Sequence, residues 1–326
     1  MFEKDHVHII AEVGSNHDGS LESALAHVDA AAEAGADFVK FQGFLADEMV
    51  APDHDSYAML KRLEMPRDWY PQLMKQCQKR GVRFLSTATN FTTLGWMEEF
   101  GAWGYKVASC NITYQPMIDR LVEIGKPVIF SAGLATLEEI KGLASSLEAK
   151  GFTDFAVLHC IAQYPAPAAA LNLRAIPILT AELSCPVGYS DHSLGNEAAI
   201  AAVALGARII EKHFSLTGSG FSPDHDVASQ PDEFAAMCEA VRNTEVAVGT
   251  EMEPDPKAIF SMRRSLHFVQ SLKAGEVVSA DDLKVIRPED GLLPGEIARV
   301  VGCHLVKDVE AGAPVNWEIL ERSGKE

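Results

Sequence analysis

The sequence predicts an α/β fold, a (β/α)8 TIM barrel followed by a small β-rich C-terminal module. Three observations lead there. Eight short β-branched or apolar runs alternate with stretches of helical spacing, Gly or Pro commonly marks the exits, and the last sixty or so of the 326 residues change character. A barrel needs roughly 250 residues, so this length leaves room for one small second unit.

The strand candidates, in order, are 7–14 (VHIIAEVG), 37–42 (DFVKFQ), 82–88 (VRFLSTA), 105–109 (YKVAS), 127–133 (PVIFSAG), 155–160 (FAVLHC), 186–193 (PVGYSDHS) and 208–216 (RIIEKHFSL). Between them, helical spacing is clearest over 21–36, 68–81, 136–151 and 197–207, and 231–248 closes the series. Strand count alone leaves a doubly wound open sheet as the structural alternative. The barrel is assigned to 1–250. An acidic, Pro-containing stretch without periodicity, 251–263, reads as a linker, and 264–326 as the second domain. Within that domain SLKAGEVVSADDL (271–283) and DVEAGAPVNWEIL (308–320) share a spacing, which suggests a small duplication with pseudo-symmetric halves.

Composition narrows the function. With 47% hydrophobic and 23% charged residues the chain can bury a sizeable core. A formal charge of −18 argues against nucleic acid and anionic membrane surfaces as partners, because phosphate backbones are bound by clustered Lys and Arg. No apolar run approaches the roughly 20 residues of a membrane span. Six cysteines without a C-x-x-C pair, and a start (MFEKDHVHII) without an apolar leader, lead us to expect reduced thiols in a cytoplasmic protein.

Polar residues interrupt nearly every strand near its C-terminal end, where barrel enzymes place their chemistry. They are Glu12; Lys40 and Gln42; Ser86 and Thr87; Lys106 and Ser109; Ser131; His159 with Tyr164 after it; Ser190 and His192; Glu211 and His213. The two-residue period puts Lys40 with Gln42, Ser190 with His192, and Glu211 with His213 on shared strand faces. A lone interior histidine is ordinarily a hydrogen-bonded core residue. Two of them at neighbouring strand ends instead suit a catalytic divalent ion with positions left open. Lys40 and Lys106, with Ser109, Ser131 and Ser190, supply the donors that a phosphate beside a carboxylate needs, although either lysine could simply pair with Glu12 or Glu211. There is no P-loop and no G-x-G-x-x-G after a strand, so nucleotide binding has no motif support.

In order, AEVGSNHDGSLESA, GADFVKFQ, YKVAS, LHCIAQYPAP, GYSDHSLG, ARIIEKHFSL and SPDHD resemble the signature segments of the sialic acid synthase family, which includes legionaminic and pseudaminic acid synthases. The tail, RRSLHFVQSLKAGEVVSADDLKVIRPEDG, resembles its antifreeze-like, or SAF, domain. The resemblance implies condensation of phosphoenolpyruvate with an N-acetylated amino sugar, N-acetylmannosamine or a 2,4-diacetamido relative. It makes His192 and His213 ligands for Mn2+ or Mg2+. Lys40, Thr87, Lys106, Ser109, Ser131 and Ser190 fall where the family holds phosphoenolpyruvate, and Gln42, Tyr164 and Asp224 fall near the sugar. Glu12 matches an acidic residue at the heart of the site, and either Glu12 or Glu211 could manage the protons. Arg287 matches an arginine that enters the partner's site in a domain-swapped homodimer.

Three positions depart from the family pattern: STATN in place of S-T-P-F after the third strand, Asn111 where a Glu is usual, and Ala162 where an Asn is usual. They bear on the proton chemistry and on the choice of sugar. Two further readings follow from the residues: a Schiff-base aldolase using Lys40 or Lys106, and a catalytically altered member that binds sugar or serves as an assembly subunit.

Overall fold

In the computed structural model, which describes residues 6–249 and 253–322, the chain divides into two compact units, Met1–Gly249 and Thr250–Glu326. The first is a closed barrel of eight parallel strands in sequence order: β1 (His8–Gly14), β2 (Phe38–Gly43), β3 (Arg83–Ala88), β4 (Tyr105–Val107), β5 (Val128–Ser131), β6 (Phe155–Cys160), β7 (Val187–Asp191) and β8 (Ile209–His213). Closure rests on β8 pairing with β1, from His8 opposite Ile209 to Glu12 opposite His213. That pairing excludes the open sheet.

Strand alternation explains why the site sits where it does. Inside the barrel, Ile10, Phe38, Leu85, Ile129, Leu158 and Ile209 pack into an apolar plug. Two residues further along the same faces come Glu12, Lys40, Thr87, Ser131, Cys160 and Glu211, a polar layer resting on that plug. The opposite faces carry Ile9, Val39, Phe41, Tyr105, Phe130 and Tyr189 into the larger core beneath the helices. On β7 the plug needs a glycine: a Cβ on Gly188 would lie 2.4 Å from the Ile209 carbonyl oxygen and 2.5 Å from Leu158 Cδ2.

The five predicted helices are present, four of them shorter, at Leu21–Glu33, Trp69–Arg80, Leu137–Ala149 and Glu197–Ala204, and the fifth with the predicted bounds at Pro231–Val248. The first two stop at Gly35 and Gly81, which take the left-handed conformation that ends a helix cheaply. Tyr57–Leu63, Phe91–Glu99, Gln115–Ile124 and Ala175–Glu182 are also helical. They are short, and their burial comes from packing on the barrel. No helix of the described residues is long and apolar enough to cross a membrane.

Within the stretch read as a linker, Pro256–Met262 is helical: Asp255 caps it by accepting from the Lys257 amide at 2.9 Å, with Pro at the first turn. The rest of the second unit is β-rich. β9 (Ser265–Phe268) pairs antiparallel with β10 (Leu283–Ile286), and β11 (Cys303–Leu305) with β12 (Leu320–Arg322). The duplication is visible as matching turns, since Gly275 and Gly312 are both left-handed and the 3-10 turns Ala280–Asp282 and Trp317–Ile319 lead directly into β10 and β12. Leu266, Phe268, Val278, Val300, Leu305 and Val315 form its core.

Candidate active site

A cavity of about 280 Å3 opens at the C-terminal end of the barrel strands. Its floor is an alternating set of buried charges. Lys40 Nζ lies 2.7 Å from Glu12 Oε2 and 3.6 Å from Glu211 Oε2, while Lys106 Nζ lies 3.6 Å from Glu211 Oε1. Lys106 also donates to Ser131 Oγ at 2.6 Å, Lys40 to Thr87 Oγ1 at 3.3 Å, and Ser190 Oγ to Glu211 Oε1 at 2.9 Å. All four charged side chains are almost fully buried, so their environment separates their proton affinities.

Burial raises the Glu12 carboxyl above the ordinary carboxylate range, and Glu211 adds to the rise, while Lys40 only partly opposes it. Burial would raise Glu211 too, but the combined pull of Lys106, Lys40 and the Ser190 hydroxyl outweighs it and holds the group at about 2. The lysines split in the same way. Burial depresses both, yet the two carboxylates lift Lys40 above its ordinary value and Lys106 stays below. The floor thus offers one carboxyl that holds its proton readily, one fixed anion, one firm cation and one softened amine.

His192 immediately follows β7 and His213 ends β8, with ring centroids 5.5 Å apart. His192 Nδ1 is 2.7 Å from the Ile161 carbonyl oxygen, which can only accept, so the proton sits on Nδ1 and the Nε2 lone pair is free. His213 Nδ1 is buried without a hydrogen-bond partner. An available lone pair on His192 and an unsatisfied nitrogen on His213 fit a divalent ion. No third histidine, cysteine or carboxylate among the described residues gathers with these two as a ligand set, leaving the other positions to water or substrate oxygen. Tyr164 stacks on His192 at 4.1 Å between centroids and stays 55% exposed, which puts it at the cavity mouth.

Behind this pair lies a feature the sequence reading passed over. Asp191 and Lys212, each adjacent to a histidine but on the opposite strand face, form an ion pair of 2.7 Å with side chains 0% and 1% exposed. Lys212 also donates to the Ser193 carbonyl at 2.7 Å, and Asp191 Oδ1 accepts from Ser193 N, Ser193 Oγ and Tyr189 OH. This network fixes the ends of β7 and β8. The alternation in GYSDH and EKH was its available signal.

The loops after β1 and β8 are latched together. Asp18 Oδ1 accepts from the amides of Phe221 and Ser222, Asp18 Oδ2 lies 3.1 Å from His225 Nε2, and the Ser15 and Ser222 hydroxyls meet at 2.9 Å. Gln42 Nε2 bridges Glu12 Oε1 at 3.1 Å and Asp224 Oδ2 at 3.4 Å. Gly14 makes room for this: its φ is +57°, and a Cβ there would stand 2.5 Å from Asp224 Oδ2.

His17, in the same loop, is 0% exposed, and its Nδ1 accepts from the Gly19 amide at 3.0 Å. Burial, reinforced by His27, lowers its pKa from 6.5 to about 4. The fold therefore favours the neutral ring; that stability is complete above pH 6.5 and is lost as the pH falls to 4, about 3 kcal/mol in all. Urea unfolding between pH 7 and pH 4 should show a smaller loss in His17→Gln than in the wild type, and parallel curves would refute the assignment.

Twelve of the residues singled out from the sequence line this one cavity: Glu12, Lys40, Gln42, Thr87, Lys106, Ser109, Ser131, Tyr164, Ser190, His192, Glu211 and His213. Asp224 stands behind Gln42 rather than on the wall. Arg287 belongs to the second unit, where it follows β10 and is exposed. Two residues read as strand-end polar groups point elsewhere. Ser86 Oγ would lie only 2.9 Å from a Cβ on Gly43, in the packing around Tyr70, and His159 donates to the Leu171 carbonyl at 2.8 Å while stacked on Tyr189. His159 is thus a core histidine. Met49 and Leu60, from the segment after β2, also line the cavity, and nothing in their spacing marked them. Cys160 lines it as well, but burial pushes its thiol up to about 11, so it is no nucleophile at neutral pH.

Comparison with known proteins agrees with this architecture. The NeuB family model matches residues 27–253 and the SAF domain model residues 263–321. The N,N'-diacetyllegionaminic acid synthase of Legionella pneumophila is 34% identical over 96% of this chain and 94% of its own. The pseudaminic acid synthase of Campylobacter jejuni (strain 81-176) is 33% identical over 94% of each. Among solved structures, the N-acetylneuraminic acid synthetase of Leptospira borgpetersenii superposes with a TM-score of 0.75 at 33% identity, over 78% of this chain and 89% of that one. With barrel, polar floor and C-terminal module all in place, the chain belongs to the NeuB family and carries a SAF domain.

Proposed function

We propose that this protein condenses phosphoenolpyruvate with an N-acetylated amino sugar, giving a nonulosonic acid and phosphate. The observation that carries the reading is the floor itself, where two buried lysines and the hydroxyls of Thr87, Ser109, Ser131 and Ser190 converge beside a histidine pair in one small cavity. A divalent ion on His192 and His213, Mn2+ or Mg2+, would add positive charge beside the two lysines for a phosphate and a carboxylate. When bound, that ion supplies Lewis-acid polarisation of the sugar aldehyde.

The chain's own residues do the rest. Lys106, Ser131, Ser109 and Ser190 hold the phosphate, and Lys40 with Thr87 the carboxylate, by charge-assisted hydrogen bonds. C3 of phosphoenolpyruvate then bonds to the aldehyde carbon, whose oxygen takes a proton. Water adds at C2 and gives up a proton, and C–O cleavage releases phosphate and leaves the keto acid. Glu12, whose carboxyl holds its proton readily, is assigned the proton transfers. Glu211 stays ionised as the counter-charge of both lysines. The named relatives favour an acceptor of the 2,4-diacetamido type, with Gln42, Tyr164 and Asp224 around it and Ala162 leaving space. The working form is proposed to be a cytoplasmic homodimer in which Arg287 serves the other subunit's sugar.

The test is phosphate release from phosphoenolpyruvate with manganese across a panel of aldoses, including N-acetylmannosamine and 2,4-diacetamido dideoxy hexoses, with and without chelator. Chelator-sensitive release with one sugar is the expected result; silence across the panel defeats the proposal. One observation favours a second reading, since the softened amine of Lys106 is what Schiff-base formation requires. Borohydride would then trap an adduct on Lys106, and turnover would survive chelation.

A further inference from the structure

We propose that His6, His8 and Asp37 form a second metal site, of the zinc type, at the N-terminal end of the barrel, opposite the candidate active site. One donor atom from each of the three lies within 4.8 Å of the others. The sequence builds the cluster simply. His8 opens β1 and His6 sits in the bend two residues before it, with the ring centroids 5.2 Å apart. Asp37 immediately precedes β2 and is fixed in place: its Oδ2 accepts from the Ile9 amide and from Arg242 Nη2, each at 2.7 Å. That leaves Oδ1 facing His6 Nε2 across 3.6 Å.

The separation leaves room for an ion to draw the two groups together. At 3.6 Å the pair is beyond hydrogen-bond length. A tetrahedral ion with bonds of roughly 2.0–2.1 Å holds neighbouring ligand atoms about 3.3 Å apart, close to the 3.6 Å between His6 and Asp37. The other nitrogen of His6, Nδ1, lies 3.7 Å from Glu245 Oε1. Glu245 Oε1, which accepts from the Val7 amide, would close on Nδ1 to become the outer-shell partner that orients such rings. Among the described residues, the carboxylates of Asp37 and Glu245 outnumber the Arg242 guanidinium beside the cluster, which favours a cation. The side chains of His6 and Asp37 are 35% and 28% exposed, giving the ion a way in.

Two imidazoles and one carboxylate select zinc, or cobalt as its spectroscopic substitute, over magnesium. Glu12 lies four residues further along β1, about 13 Å at the rise of a strand, so an ion here touches no substrate. It ties the start of β1 to β2, with Glu245 of the Pro231–Val248 helix in the outer shell.

The experiment is a zinc titration by calorimetry on the chelator-stripped full-length chain. In a His192→Ala/His213→Ala background the expected result is one equivalent of zinc per chain with a rise in Tm, and adding His6→Ala should abolish both. As a check that needs no change at the active site, wild type and His6→Ala should differ by one equivalent. Cobalt should give the intense visible absorption of a tetrahedral site in the background variant and lose it with His6→Ala. No binding in the background variant, or equal stoichiometry in wild type and His6→Ala, overturns the site; neither outcome bears on the proposed synthase reaction.

Discussion

Replacing His192 by alanine is expected to lower kcat/KM for the sugar by about 10³-fold, the equivalent of roughly 4 kcal/mol of transition-state stabilisation from a Lewis acid. His213→Ala should do the same, and the double variant should be little worse than either, because both remove one function. Stability should barely follow. His192 contributes one hydrogen bond, to the Ile161 carbonyl, and its stack on Tyr164, together about 1–2 kcal/mol. Phosphate release measured beside thermal unfolding separates the two effects. A His192→Ala enzyme with wild-type turnover that chelator leaves untouched would end the metal-dependent reading while leaving fold and family as they are.

Lys212→Met should have the largest effect on stability of any single change near the site, costing about 3–5 kcal/mol, because it strands the Asp191 carboxylate in a place no water reaches. Asp191→Asn should cost less, since the amide keeps an oxygen for Ser193 and Tyr189. The sign of the coupling is the sharper forecast: the double variant should be more stable than the sum of the single losses predicts, because removing both charges also removes the stranded one. Urea midpoints for the four proteins of the cycle give the answer, and additive losses would mean that the pair does not act as a unit. Turnover should fall in both single variants as well, since the network sets where His192 and His213 point.

How far the sequence could be read follows from what each signal depends on. Period-two alternation survives translation into structure, so twelve residues named from strand ends do meet in one cavity. The same rule, applied to neighbouring positions, would have turned Ser86 and His159 away from it. Residues immediately past a strand, such as His192 and Ser109, were reachable because a loop begins in the direction its strand ends. Met49 and Leu60 were not, since they come from the long excursion between β2 and β3, whose path is set by packing against the finished barrel. The short helices were missed for a related reason. Ala175–Glu182, with Pro177 in its first turn, has little intrinsic helical preference and owes its form to contacts such as those of Ile176 and Leu179. Charges were legible as residues, while the opposite displacement of Glu12 and Glu211 required knowing which lysine stood beside which.

The seam between β1 and β8 also sets a timetable for the nascent chain. The first strand emerges from the ribosome some 200 residues before its partner, from His8 to Ile209, and at about 5–20 residues per second that is roughly 10–40 s of synthesis. Throughout that interval one edge of β1, an apolar run of IIAEV, offers unpaired amides and carbonyls to any other strand. The Asp18 latch cannot engage before Ser222 exists, so the loop that places Gln42 opposite Asp224 is finished only when the edge has been sealed. Competence for chemistry and protection from aggregation therefore arrive in the same step of biosynthesis.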